Sequence, residues 1–208
     1  MIIDTLAVGP IMANCYILGC EETGSAAVID PGDEPARILE TVARHGLKVV
    51  AILNTHGHFD HVGANAALKA ATGADIMIHA LDAPMLADLA AAGRMFGLRV
   101  ENSPPPDRTL GDGDRIQVGN LALTVIHTPG HTPGGVAFLA DGAVFVGDTL
   151  FAGSIGRTDL PGGNFDTLIQ SIHGRFFTLD DALEVYPGHM GTTTIGREKR
   201  HNPFVGRG

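Results

Sequence analysis

Seven consecutive residues, Thr55-His56-Gly57-His58-Phe59-Asp60-His61, place three imidazoles and a carboxylate within one short turn. These are donor types that Zn²⁺, Fe²⁺ and Mn²⁺ accept. A purely structural use would need a buried hydrogen-bond partner for each, at about 1–3 kcal/mol for every one left unmet. Three other segments have the same character: Thr128-Pro129-Gly130-His131-Thr132-Pro133-Gly134, Val146-Gly147-Asp148-Thr149 and Tyr186-Pro187-Gly188-His189. Counting donors predicts one ion on His56, His58, His131 and Asp148. A second falls to Asp60, His61, His189 and the other oxygen of Asp148. Two divalent ions roughly 3.5–4 Å apart suit hydrolysis of an acyl or phosphoryl centre. Asp60 is also placed to orient the attacking water. Asp30, at another strand end, is a candidate to fix a ligand imidazole from behind.

The elements that must position these groups can be read from apolar runs and turn residues. Val49 to Leu53 is a continuous apolar run and predicts a buried strand ending at the cluster. Strands are predicted at 2–8, 13–19, 25–30, 48–53, 75–78, 115–118, 121–127, 135–140, 143–147 and 183–186. Helices are predicted at 34–45, 60–71, 81–92, 165–173 and 193–200, with a surface loop over 93–108. Each candidate segment follows an apolar strand, and strand ends are where ligands collect in layered α/β proteins. Strand runs followed by helices, twice over, predict two halves of one layered α/β domain across residues 1–208. The Gly-rich loop 153–163 lacks a Gly-x-x-x-x-Gly-Lys pattern and is read as a wall of the site. No Gly-x-Ser-x-Gly elbow is present, against a serine hydrolase. His45, His79, His173 and His201 are read as surface, helix-end or core residues, and His127 as a strand-end residue making one hydrogen bond.

The chain has 208 residues and a net charge of −9. That balance argues against a nucleic-acid or anionic-membrane partner, both of which need a basic face. Cys15 and Cys20 are the only cysteines. They are read as reduced thiols, which with the lack of a basic leader pattern or a long apolar stretch points to the cytoplasm.

The order His-x-His-x-Asp-His, Pro-Gly-His-Thr-Pro-Gly, Gly-Asp-Thr and Pro-Gly-His resembles the metallo-β-lactamase superfamily along essentially the whole chain. The resemblance implies a four-layer αββα sandwich with the metals at one edge of its two sheets. Gly93-Arg94-Met95-Phe96-Gly97-Leu98, Gly156-Arg157-Thr158-Asp159-Leu160-Pro161-Gly162-Gly163 and His201-Asn202-Pro203-Phe204 further resemble the short glyoxalase II-like hydrolases. That subgroup implies a small-molecule thioester substrate such as S-lactoylglutathione, two divalent ions with Zn foremost, and attack by a metal-bound hydroxide. Arg157 matches a basic residue that glyoxalase II turns toward its substrate. The C-terminal helical domain with which full-length glyoxalase II holds glutathione is not expected, because the sequence ends 19 residues after His189. Persulfide dioxygenases share the fold and motif, with one iron at the positions of His56, His131 and Asp148; the intact Pro187-Gly188-His189 turn resembles the two-metal hydrolases more. A non-catalytic metal-binding protein is a weaker alternative. An exported β-lactamase would be expected to carry an export signal, and Met1-Ile2-Ile3-Asp4 shows no such pattern.

Overall fold

The computed structural model describes residues 1–206. Two six-stranded sheets lie face to face. The first sheet runs in the order β1 (Ile2–Val8), β2 (Ala13–Gly19), β3 (Ser25–Ile29), β4 (Lys48–Leu53), β5 (Asp75–His79) and β6 (Arg108–Leu110). β1 to β3 are antiparallel, and β3 to β6 are parallel. The second sheet is built from β7 (Arg115–Val118), β8 (Leu121–His127), β9 (Val136–Ala140), β10 (Ala143–Gly147), β13 (Glu184–Pro187) and β14 (Thr193–Thr194). Its strands are antiparallel except where β10 runs parallel to β13. A small hairpin, β11 (Leu150–Phe151) and β12 (Ser154–Ile155), stands apart.

Alternation along the strands divides the apolar residues into three cores. Tyr16, Leu18, Ile29 and Leu53 of the first sheet meet Leu123, Val125, Phe138 and Phe145 of the second. The opposite faces are covered by helices. α1 (Pro35–Arg44), α2 (Phe59–Val62) and α3 (Asn65–Thr72) bury Ile38, Val42, Val62 and Leu68 against the first sheet. α5 (Phe165–Ser171) and α6 (Ile195–His201) bury Leu168 and Ile195 against the second. The result is the expected αββα layering. β2, β3 and β10 read as near-continuous apolar runs because they are covered on both faces.

Several boundaries differ from the sequence reading. The helix expected over 60–71 is broken at Gly63 and Ala64, because the Ala64 amide bonds the Pro31 carbonyl at 2.9 Å instead of continuing the ladder. The helix expected over 81–92 is a 3₁₀ turn, Ala83–Ala87, followed by α4 (Leu89–Met95). The supposed loop 93–108 therefore begins inside α4 and ends in β6. The Gly-rich loop contains the β11–β12 hairpin, and the helix expected over 165–173 passes at Ile172 into a π-helical turn, Ile172–Phe176. Cys15 and Cys20 are both free and buried. No helix among the described residues is long and apolar enough to cross a membrane.

Candidate metal centre

The chain turns at the ends of β4, β8, β10 and β13 bring the candidate side chains together at one edge of the two sheets. Single donor atoms of His56, His58 and His131 lie within 4.8 Å of one another, and so do those of Asp60, His61 and His189. Asp148 stands between the groups. Its Oδ1 is 3.4 Å from His61 Nε2, and its Oδ2 is 3.5 Å from His189 Nε2 and 3.7 Å from His131 Nε2. Two glycines allow this approach. A Cβ on Gly188 would lie 2.1 Å from Asp148 Oδ1, and one on Gly156 would lie 1.7 Å from the Asp148 carbonyl oxygen.

The far side of three imidazoles is held by acceptors, which assigns their tautomers. Thr55 Oγ1 donates to Asp30 Oδ2 at 2.6 Å, so His56 Nδ1, 3.0 Å away, is the donor to Thr55 Oγ1. His131 Nδ1 donates to the Arg157 carbonyl at 2.7 Å. His61 Nδ1 donates to Asp30 Oδ2 at 3.2 Å. In each case Nε2 is the atom turned toward the cluster. Asp30 also accepts from the Thr55 amide at 2.7 Å and is 1% exposed. Its backbone is left-handed, φ 51°, an uncommon state that Asp tolerates better than most residues. It anchors Thr55 and His61 together, behind the donor atoms.

Facing nitrogens dominate the interior. His131 Nε2 is 2.9 Å from His58 Nδ1, and His61 Nε2 is 3.3 Å from His189 Nε2. His56 Nε2 and Asp148 Oδ1 are buried with no hydrogen-bond partner. Two orphaned acceptors beside converging imidazoles are costly to a purely structural site and fit a divalent cation. The titration behaviour agrees. Burial, with the neighbouring imidazoles, pushes His56 well below the ordinary histidine value and His58 down to about 4. Burial alone would also lower His61, but the carboxylates of Asp148, Asp60 and Asp30 outweigh it and raise His61 to about 10. Burial works against the charge on Asp60, yet His61 and His189 hold that carboxyl below the usual carboxylate range.

Asp82 carries no signal in the sequence, yet it ties the two halves of the centre. It is fully buried and accepts from the Gly57 amide at 3.1 Å, Thr132 Oγ1 at 2.7 Å and the Gly134 amide at 2.7 Å. Gly57 separates His56 from His58, while Thr132 follows His131. Arg157 borders the site with its guanidinium in a bidentate pair with Asp159, both bonds 2.7 Å. Its backbone carbonyl is the part that meets a candidate ligand. The His127 ring makes one hydrogen bond, to the Pro133 carbonyl at 3.0 Å, and stacks on His79 with centroids 4.4 Å apart, while its amide donates to Asp112 Oδ1 at 2.9 Å. Above the donors lies an open cavity of about 590 Å³.

A model of the metallo-beta-lactamase superfamily matches residues 8–189, from the end of β1 to the last histidine of the centre. The chain belongs to that superfamily. Among its relatives is the hydroxyacylglutathione hydrolase GloC of Haemophilus influenzae, 37% identical over 99% of this chain and 98% of that one. TTHA1623, solved in a di-iron-bound form, is 42% identical with a TM-score of 0.90 over 97% of this chain and 100% of that one. BLEG-1, described as a B3 metallo-beta-lactamase, is 36% identical with a TM-score of 0.93 over 98% and 99%. ETHE1 from Myxococcus xanthus is 34% identical with a TM-score of 0.84 over 99% and 84%. The His/Asp cluster thus sits in a chain of a metallo-hydrolase superfamily, one near relative of which holds two irons.

Proposed function

We propose that the protein is a two-metal thioester hydrolase of the hydroxyacylglutathione type. The observation that carries this reading is the pair of donor groups sharing Asp148 under one open cavity. His56, His58 and His131 would hold one ion; Asp60, His61 and His189 would hold the other; Asp148 reaches toward both. The ions, when bound, would supply Lewis acidity toward the thioester carbonyl and toward water at neutral pH. Zn²⁺, Fe²⁺ and Mn²⁺ all suit these donors. The protein's own groups do the positioning. Asp60 remains ionised and presents Oδ2 as an acceptor that can orient the attacking water. Thr55, Asp30 and the Arg157 carbonyl keep the Nε2 atoms of His56, His61 and His131 directed inward. A cysteine-type thiol has a pKa near 8.5 and departs as thiolate without a strong general acid. A thioester therefore suits a site whose acidic and basic groups are gathered on the cavity floor. The likeness to GloC over nearly the full length supports the same substrate class.

A one-iron dioxygenase would draw on His56, His131 and Asp148 and leave the group of Asp60, His61 and His189 without a task. The test is to load the protein with Zn²⁺, Fe²⁺ or Mn²⁺, count ions per chain, and assay S-lactoylglutathione, glutathione persulfide with oxygen, and a chromogenic β-lactam. Two ions and hydrolysis of the thioester are expected. One iron with oxygen uptake on the persulfide would overturn the proposal, as would β-lactam hydrolysis with no thioester turnover.

A further inference from the structure

The cavity over the donor groups has a polar floor and apolar walls. His58, Asp60, His131, Asp148 and His189 form the floor, while Ile11, Met85, Phe96, Ile155, Leu160 and Met190 are among the side chains of the walls. The polar wall residues are Ser154 and Arg157, and the Arg157 guanidinium is engaged by Asp159. Several wall side chains stay open to solvent: Met95 is 86% exposed, Met190 61% and Phe96 50%. Large apolar groups left open around a concave site mark a surface that something apolar covers. Met190 is held there at some cost. Its φ of 69° is left-handed, and Asn14 Nδ2 fixes its carbonyl at 2.8 Å. Backbone strain retained next to a reactive centre points to a function for the residue. Phe96 packs on Phe59 with ring centroids 5.3 Å apart, and Phe59 lies between His58 and Asp60. The apolar wall thus starts at the donor loop itself.

With the thioester carbonyl over the donor groups, a 2-hydroxyl stays at the polar floor, and only carbons beyond C2 reach these walls, so lactoyl offers them a single methyl. An alkyl chain would replace water on them. We propose that the cavity binds the acyl half of the thioester, that it selects an uncharged alkyl chain longer than lactoyl, and that Met95, Phe96 and Met190 set this selectivity. The inference rests on the thioester reading and names its acyl class.

The test holds the thiol carrier constant. Acetyl-, lactoyl-, butanoyl- and hexanoylglutathione are compared by kcat/KM with the metal-loaded protein. Full burial would contribute about fourfold per methylene as a ceiling. A rise of about tenfold from acetyl to hexanoyl is expected, with hexanoyl above lactoyl. A second arm needs no turnover: S-hexylglutathione should bind more tightly than S-methylglutathione in calorimetry. Met95→Ser and Phe96→Ser, at exposed positions, should flatten both trends. Preference for lactoylglutathione, or equal binding of the two thioethers, would overturn the inference and leave the thioester reading standing. Hydrolysis of no thioester would overturn that reading and this one with it. Equal thioether binding together with a dimer that Met95→Ser dissociates would assign these side chains to contact between copies.

Discussion

At His61 two demands meet on one ring. Nδ1 donates to Asp30 and Nε2 faces Asp60, Asp148 and His189. Without an ion those carboxylates keep the ring protonated, with a pKa near 10 against an ordinary 6.5. The folded value is raised, so the charged ring stabilises the metal-free fold fully below about pH 6.5, and that contribution is lost as the pH rises toward 10. An ion taking Nε2 must displace the proton. Metal uptake at pH 7 should therefore release about one proton per chain from His61, and apparent affinity should tighten with pH up to about 10. His56 and His58, already neutral, should add none. Calorimetric titration of the metal in two buffers of different ionisation heat measures the release; a heat independent of buffer would contradict the assignment. Arg157 offers a contrast at the same scale. Its residue type suggests a cation for the substrate, whereas its main-chain oxygen is what orients His131. Residue type says nothing of a carbonyl's use, so that role was hidden in the sequence.

Among the elements, the loops matter more than the strands that launch them. Asp82 joins the loop after β4 to the loop after β8 through three hydrogen bonds to one buried carboxylate. Hydrogen bonds to a charged acceptor exceed neutral ones in strength, and their loss would leave two buried amides and a hydroxyl unmet. Asp82→Ala should lower unfolding stability by about 2–4 kcal/mol in urea. It should weaken metal binding at His56, His58 and His131 more than at Asp60, His61 and His189. Equal weakening at both, read by stepwise metal titration, would show that the link is not specific to the first group. Asp82 was not legible beforehand because its partners come from 25, 50 and 52 residues away. The break between α2 and α3 escaped for the same reason: Ala64 follows a remote carbonyl, not its own periodicity. β10 was plain, since a strand buried on both faces writes itself as an unbroken apolar run; β4 writes the same run although Val50, expected to be buried, is exposed. β6, β11, β12 and β14 are too short to carry a period. What local patterns record well is a strand, its end and the polar residues in the turn beyond it. The partners that hold those turns together are set by tertiary contact.

For the molecule as a whole, the centre lies where the two sheets must be held against each other. His56, His58, Asp60 and His61 follow β4 of the first sheet, whereas His131, Asp148 and His189 follow β8, β10 and β13 of the second. Each donor group thus takes side chains from both sheets. Without cations, this edge gathers carboxylates and imidazoles of which two buried atoms have no partner. The central core of Leu18, Ile29, Phe138 and Phe145 lies between the sheets and does not depend on that edge for its packing. Removing metal should therefore loosen one edge and leave the layers assembled. A ligand at a hundred times its Kd stabilises by about 2.7 kcal/mol. For a chain of this length each kcal/mol moves Tm by about 2–4 °C. Chelation should thus lower Tm by about 5–10 °C, measured by scanning calorimetry against protein reloaded with metal. Hydrogen exchange should quicken in the turns after β4, β8, β10 and β13, while amides of β2 and β9 stay protected. Uniform loss of protection across both sheets would mean that the ions hold the whole sandwich together, and that the apolar core between the sheets is too weak to stand without them.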